Sequence, residues 1–148
     1  MSGSEADLRR GLAVLDQYRD QLETLAQQQE IVRTSLEEHL RARETLTRLR
    51  EAGKDAEVLV PLGANAFAVA SVRETQKAYV GIGSDLVVYD NVEQQLARLE
   101  SRINQITEAA NAIGQRLAEM QQRAEAQGAA VQTLYDRLQS PPAATRKK

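Results

Sequence analysis

The chain of 148 residues contains no cysteine and no tryptophan, and it has only one phenylalanine and three prolines. Without cysteine there is no disulfide framework and no metal or redox site built on thiolates, so we expect an intracellular, cytoplasmic protein. Aromatic residues make up only 3% of the chain, which is thin for a globular core. The composition therefore favours long helices over one compact globule.

Two further absences concern membranes and nucleic acids. No run of about 18 apolar residues occurs, and the polar N-terminus has no apolar signal segment, so we expect no membrane span and no signal peptide. The net charge is −2 with both signs mixed along the chain. This balance argues against an electrostatic nucleic-acid binder.

The sequence also lacks the residue sets that catalysis uses. His39 is the only histidine, and no Ser/His/Asp set or glycine-rich phosphate loop is present. A lone histidine cannot complete a metal site, and the carboxylates alternate with basic residues on helix faces. We therefore expect no enzyme activity, no metal and no cofactor.

What the sequence has instead is an apolar heptad over residues 92–138, whose spacing continues without a stutter. A seam this narrow cannot be buried within one helix, so the pattern predicts a coiled coil with a partner helix. Only Gln127 interrupts the stripe. The a positions are Leu96, Ile103, Ala110, Leu117, Ala124, Val131 and Leu138, and the d positions are Val92, Leu99, Ile106, Ile113, Met120, Gln127 and Leu134.

A weaker heptad over residues 8–46 supplies the partner within the same chain. We predict helices over residues 5–52 and 91–139, whose matched lengths suit an antiparallel hairpin. The apolar a and d positions are Leu8, Leu15, Leu22, Leu36, Tyr18, Leu25, Val32 and Leu46, and the remaining ones hold Gln29, Arg43, Gly11 and His39. The candidate caps are Ser4 and Gly53 for the first helix and Asp90 or Asn91 for the second, with Glu93 or Gln94 completing a capping box.

Between the helices, residues 57–90 are rich in valine, isoleucine and tyrosine and are divided by turn residues. We predict four strands, 57–62, 66–72, 77–82 and 85–89, arranged as two β-hairpins. Several strands are apolar on both faces, and one chain has little left to cover them. Exposed strand edges also pair readily with other chains, so we infer that this sheet joins a larger sheet built by several subunits.

The predicted fold is α+β and mainly helical: a long antiparallel coiled-coil hairpin with two β-hairpins inserted between its helices. We expect residues 1–148 to form a single domain. Its parts are the first helix (5–52), the two β-hairpins (57–90), the second helix (91–139) and a disordered tail (140–148).

Three stretches of the hairpins form a recognisable motif, namely Val60-Pro61-Leu62-Gly63, Phe67-Ala68-Val69-Ala70 and Tyr79-Val80-Gly81-Ile82-Gly83. In this motif and in its layout, the chain resembles a known family, the prefoldin alpha subunits. The beta-type subunits are similar but have one hairpin between their helices, so four strands favour the alpha type.

The resemblance implies a molecular chaperone that assembles from two alpha and four beta subunits. Two alpha subunits would pair through their hairpins at the centre of an oligomeric β-barrel base, from which six coiled-coil arms extend. The arm tips would hold unfolded client proteins without ATP and pass them to a group II chaperonin.

Two sets of residues are candidates for these roles. Glycines near the tips favour fraying, which would expose apolar side chains to a client, although the same residues also suit an ordinary hairpin core. The candidate client-binding residues are Leu8, Leu12, Leu15, Val131, Leu134, Tyr135 and Leu138. The candidate assembly residues are Val58, Val60, Phe67, Val69, Val80, Ile82, Leu86 and Val88.

A second hypothesis stays open from the sequence. A prefoldin-like chain could be purely structural, forming filaments or acting as a spacer without binding clients. The two hypotheses share the sheet and the helices, and they differ in stoichiometry and in whether the tips bind unfolded chains.

Overall fold

The computed structural model describes residues 2–140, and the side chains from residue 4 onward. Along the chain, one long helix precedes the four strands and another follows them, which confirms the predicted order of elements. The elements are α1 (Ser2–Ala52), β1 (Ala56–Gly63), β2 (Ala66–Val72), β3 (Lys77–Gly83), β4 (Leu86–Asn91) and α2 (Val92–Gln139).

Only one end of α1 lies where the sequence predicted it. The helix begins at Ser2, so Ser4 lies within it and the prediction that Ser4 caps it is wrong. At the other end Gly53 has a φ of 77°, and its N–H donates to the carbonyl of Leu49 at 3.3 Å. This left-handed glycine after the last helical residue is the predicted helix stop.

The start of α2 is capped by Asn91, as one of the two alternatives predicted. Its Oδ1 accepts a hydrogen bond from the N–H of Gln94 at 2.8 Å. In a capping box, a side chain of the first helical turn would accept a hydrogen bond from the N–H of Asn91. Here that N–H donates to Asp90 Oδ1 at 2.8 Å, so neither Glu93 nor Gln94 completes the box. The predicted disordered tail, 140–148, lies outside the described residues except for Ser140.

The four strands form two separate antiparallel hairpins, β1 with β2 and β3 with β4, as predicted. Each hairpin turns through two non-glycine residues of positive φ that follow a glycine of positive φ, Gly63 or Gly83. Each also has an irregular register just before the turn, between Pro61 and Gly63 and between Gly81 and Gly83. The second hairpin thus repeats the geometry of the first, 20 positions later in the chain.

The register of each hairpin defines two faces, because side chains alternate across a strand and opposite partners share a face. We call the face that carries the half-buried side chains of each hairpin its inner face, and the opposite, exposed face its outer face. Val60, on the inner face near the first turn, is itself 41% exposed. The inner faces contain Val58, Val60, Ala68 and Ala70 in the first hairpin and Ala78, Val80, Val88 and Asp90 in the second. The outer faces contain Leu59, Pro61, Phe67 and Val69 in the first and Tyr79, Gly81, Val87 and Tyr89 in the second.

The chain divides into two compact units, each of which contains part of both helices. Among the described residues, the first unit consists of residues 2–32 and 109–140, and the second of residues 33–108. Buried seam residues occur in each: Leu15, Leu25 and Val131 in the first unit, and Val92, Leu99 and Ile103 in the second. The α2 heptad therefore faces inward in both units, with Leu138 as its one exposed large apolar a or d residue among those described.

Candidate functional surfaces

In the first unit, most of the predicted client-binding residues form the seam between the helices. Leu15 and Val131 are buried, and Leu8 and Leu134 are half-buried. These four side chains therefore belong to the core of the helix pair in this structure. Their position is that of an ordinary hairpin core, which the sequence also allowed.

The other three predicted residues are exposed. Leu12 is 44% exposed, Tyr135 48% and Leu138 39%. Leu12 and Tyr135 both occupy e positions of their heptads, and e positions of antiparallel partners flank the same side of the seam. We call these three side chains the tip surface. It is apolar apart from the Tyr135 hydroxyl, which accepts a hydrogen bond from Gln139 Nε2 at 3.0 Å.

A close approach of the helices lies beside the tip surface, at Gly11. A Cβ placed on Gly11 would lie 3.1 Å from Val131 Cγ2 and 3.4 Å from the side-chain nitrogen of Gln127. Gln127 Nε2 also donates a hydrogen bond to the carbonyl of Gly11 at 3.0 Å. The polar residue that interrupts the heptad is therefore matched to a glycine on the partner helix.

The two glycines near the tip surface differ in their surroundings. The buried Gly11 lets the helices pack closely there, since a larger side chain would meet Val131. A Cβ placed on Gly128 would lie in open space, so Gly128 carries only the intrinsic cost of glycine in a helix. The exposed tip surface is available without any opening of the helix pair.

In the second unit, the predicted assembly residues divide between the two faces of the hairpins. Four of them, Val58, Val60, Val80 and Val88, lie on inner faces, and Phe67 and Val69 lie on the first outer face. Ile82 and Leu86 lie beside the second turn and are exposed. Four further exposed residues of the outer faces were not among the predicted assembly residues, namely Leu59, Tyr79, Val87 and Tyr89.

The two outer faces differ in chemistry. The first presents Leu59, Phe67 and Val69, which have no polar atoms in their side chains. On the second, the rings of Tyr79 and Tyr89 stack with their centroids 4.4 Å apart, and Lys77 Nζ lies 5.8 Å from the Tyr89 centroid. Strict alternation of apolar and polar residues could have shown which face is exposed, but these strands are apolar on both sides.

Charge is concentrated where the second hairpin meets α2. The backbone N–H of Asn91 lowers the pKa of the Asp90 carboxyl below its ordinary value of 3.8, and the Arg98 guanidinium adds to this effect. Arg98 forms an ion pair with Asp90 at 2.9 Å. A second ion pair joins Arg43 of α1 to Glu100 of α2 at 2.7 Å, so a basic a-position residue is paired across the seam.

Neither a metal cluster nor a membrane-spanning helix occurs within residues 2–140. That part of the chain has no group of three or more histidine, cysteine, aspartate or glutamate side chains that could hold a metal ion. None of its helices is long and apolar enough to cross a membrane.

Comparison with known proteins agrees with the motif in the hairpins. The pattern of the Prefoldin family, described as prefoldin subunit, matches residues 18–137. The chain is 27% identical over 135 residues to prefoldin subunit alpha of Methanocorpusculum labreanum, covering 91% of this chain and 92% of that protein. It is 30% identical over 124 residues to prefoldin subunit alpha of Methanospirillum hungatei, covering 84% of this chain and 80% of that one.

A solved structure shows the same fold. The crystal structure of the prefoldin beta subunit from Thermococcus strain KS-1 matches with a TM-score of 0.59 and 20% sequence identity, covering 91% of this chain and 95% of that chain. The chain belongs to the prefoldin family. Prefoldins are molecular chaperones, so the class of function expected from the hairpin motif is confirmed at that level.

Proposed function

We propose that the chain is the alpha subunit of a cytoplasmic hexamer with four beta subunits and a second alpha subunit. In this proposal the hexamer holds unfolded proteins at its coiled-coil tips without ATP and delivers them to a group II chaperonin. The observation that carries the proposal is the tip surface of Leu12, Tyr135 and Leu138, which leaves apolar side chains in water beside a buried seam.

The tip surface suits transient capture of an unfolded chain. Its three side chains are each between a third and a half exposed, so a client that covers them gains a modest hydrophobic stabilisation at each. Because each contact is weak, several tips acting together would bind a client that one tip releases. This combination favours holding without irreversible aggregation.

The outer faces of the hairpins support the assembly part of the proposal. Exposed apolar side chains cover one face of each hairpin, and contiguous exposed apolar patches mark interaction sites in many proteins. Each hairpin also has only two strands, and both of its edges are unpaired within the described residues. Other subunits can cover both features at once.

The test replaces the tip surface while leaving the hairpins intact. In the triple variant Leu12→Ser, Tyr135→Ser and Leu138→Ser, we expect the affinity for an unfolded client to fall roughly a hundredfold, at about 1 kcal/mol per side chain. The measurement is suppression of client aggregation by the assembled hexamer, whose mass is checked first by light scattering.

A matched control is available in the same helix. Ile31 is 69% exposed and stands outside the heptad seam. Ile31→Ser should therefore leave client holding unchanged if the effect belongs to the tip surface. Full holding by a triple-variant hexamer would refute the tip proposal, because the client would then be bound elsewhere on the hexamer.

A further inference from the structure

The second hairpin is attached to α2 by side chains that the heptad pattern does not single out. Gln95 is fully buried, and its Nε2 donates to the carbonyl of Ala78 in β3 at 2.8 Å and to that of Val88 in β4 at 2.7 Å. One side-chain amide therefore joins both strands of the hairpin to the helix. It does so on the inner face, opposite the stacked tyrosines.

Two arginines extend this attachment along the same face of α2, since positions 98 and 102 follow position 95 by three and seven residues. Arg98 Nη1 donates to Gln95 Oε1 at 3.2 Å, and its other terminal nitrogen pairs with Asp90. Arg102 Nη1 donates to the carbonyl of Gly81 at 2.8 Å, close to the turn. The hairpin is thus held at its middle and near its tip.

Every polar group of the buried amide has a partner in this arrangement. The side-chain nitrogen of Gln95 donates to two strand carbonyls, and its side-chain oxygen accepts a hydrogen bond from Arg98. Burying an amide without hydrogen-bond partners costs free energy. When all of its polar groups are paired, the amide fixes the geometry of the groups around it. The contacts therefore favour one orientation of the hairpin on the helix.

The first hairpin has no such attachment. Glu30 and Arg33 aside, no side chain of either helix within residues 2–140 donates a hydrogen bond to a carbonyl of β1 or β2. At the positions equivalent to Ala78 and Asp90, the first hairpin carries Val58 and Ala70, so its inner face is apolar. The two hairpins share a backbone design but differ in how they are held.

We propose that Gln95, supported by Arg98 and Arg102, is a positioning residue that fixes the second hairpin on α2 before assembly. The outer face of Tyr79, Val87 and Tyr89 is then presented to a partner subunit in its final orientation. The first hairpin, which lacks these bonds, takes its final orientation when another subunit covers it. This inference rests on the proposed assembly through the hairpins.

The first experiment is amide hydrogen exchange on the full chain alone, comparing Gln95→Met with the wild type. Losing hydrogen bonds worth about 1.4 kcal/mol would speed exchange about tenfold. We expect this acceleration in β3 and β4 only, with β1, β2 and the helices unchanged. Equal protection in the two proteins, or an equal loss in all elements, would overturn the proposal.

Matched variants keep the result specific. Gln94→Met changes the neighbouring exposed glutamine and should leave exchange unaltered. Arg102→Met should accelerate exchange mainly near the turn, at Gly81 to Val87, while Arg102→Lys retains a donor and should restore part of the protection. If Arg102→Lys and Arg102→Met behave alike, loss of packing explains the effect and the hydrogen-bond role fails.

A second measurement links positioning to assembly. The chain is mixed with an archaeal prefoldin beta subunit, and the growth of mass is followed by time-resolved light scattering. Because only the correctly oriented fraction is competent to bind, Gln95→Met should assemble more slowly than the wild type. An unchanged rate would overturn the link to assembly. If the wild-type chain forms no complex, the proposed hexamer fails, while the exchange experiment still decides the role of Gln95.

Discussion

At the scale of single residues, the glycines of the helices differ in their surroundings, and this difference is measurable. Gly128→Ala adds a methyl group in open space, so it should stabilise the chain by up to about 1 kcal/mol. Gly11→Ala gains the same helix propensity but crowds Val131 Cγ2 at 3.1 Å, so most of that gain should be lost. Urea denaturation followed by circular dichroism compares the two. An equal gain at both positions would contradict the close approach at Gly11.

Asp90 provides a prediction about pH. Its pKa is lower in the folded chain than its ordinary value of 3.8, so the carboxylate contributes stability above that value. The contribution is lost as the pH falls through the folded pKa. Asp90→Asn should therefore be less stable than the wild type at neutral pH, and the difference should disappear well below pH 3.8. A difference in unfolding midpoint that stays constant across this range would show that the charge is irrelevant.

At the scale of elements, the turn of the first hairpin contains a residue that is poorly suited to its backbone. Ala64 has a φ of 47° and is followed by Asn65 at 60°, a two-residue turn in which both φ angles are positive. Asparagine tolerates this conformation better than alanine, so Ala64→Asn should stabilise the hairpin by about 0.5–1 kcal/mol. Ala66→Asn, at the first residue of β2, is the control and should give no gain. The midpoint of thermal unfolding reports both.

The helices could be predicted from the sequence because a heptad is a local, redundant signal. Each a or d residue repeats the same information, so single exceptions such as Gln127 and Arg43 did not hide the seam. Their partners, Gly11 and Glu100, lie far away in the chain, and no local pattern joins them. The start of α1 was misplaced because a serine near a terminus resembles a cap whether or not the helix extends past it.

The number and order of the strands were predicted from the sequence, but which face of each strand points inward was not. Turn residues such as Gly63 and Gly83 mark the ends of strands locally, whereas the inward face of an apolar strand depends on what packs against it. Leu86, Val87 and Val88 are consecutive, so periodicity could not divide them between faces. Gln95 was missed for the same reason: a glutamine beside a heptad looks solvated until the hairpin that covers it is known.

At the scale of the whole molecule, the proposed function separates assembly from client holding, and variants of each surface should separate them too. Leu59→Asp with Val69→Asp places carboxylates on the first outer face, where burial against another subunit would cost several kcal/mol. The complex with beta subunits should then lose mass by light scattering. Client holding should fall with it, because separated tips lose the benefit of acting together.

The tip variant should differ from the outer-face variant in mass, giving a complex of full mass that no longer holds clients. An outer-face variant that assembles normally would show that the interface lies elsewhere on the second unit. Open-ended growth of the wild-type chain alone, unchanged by beta subunits, would instead favour a filament. Since mass and client holding are measured on the same samples, loss of holding at full mass identifies the tip surface, whereas loss of both identifies the assembly surface.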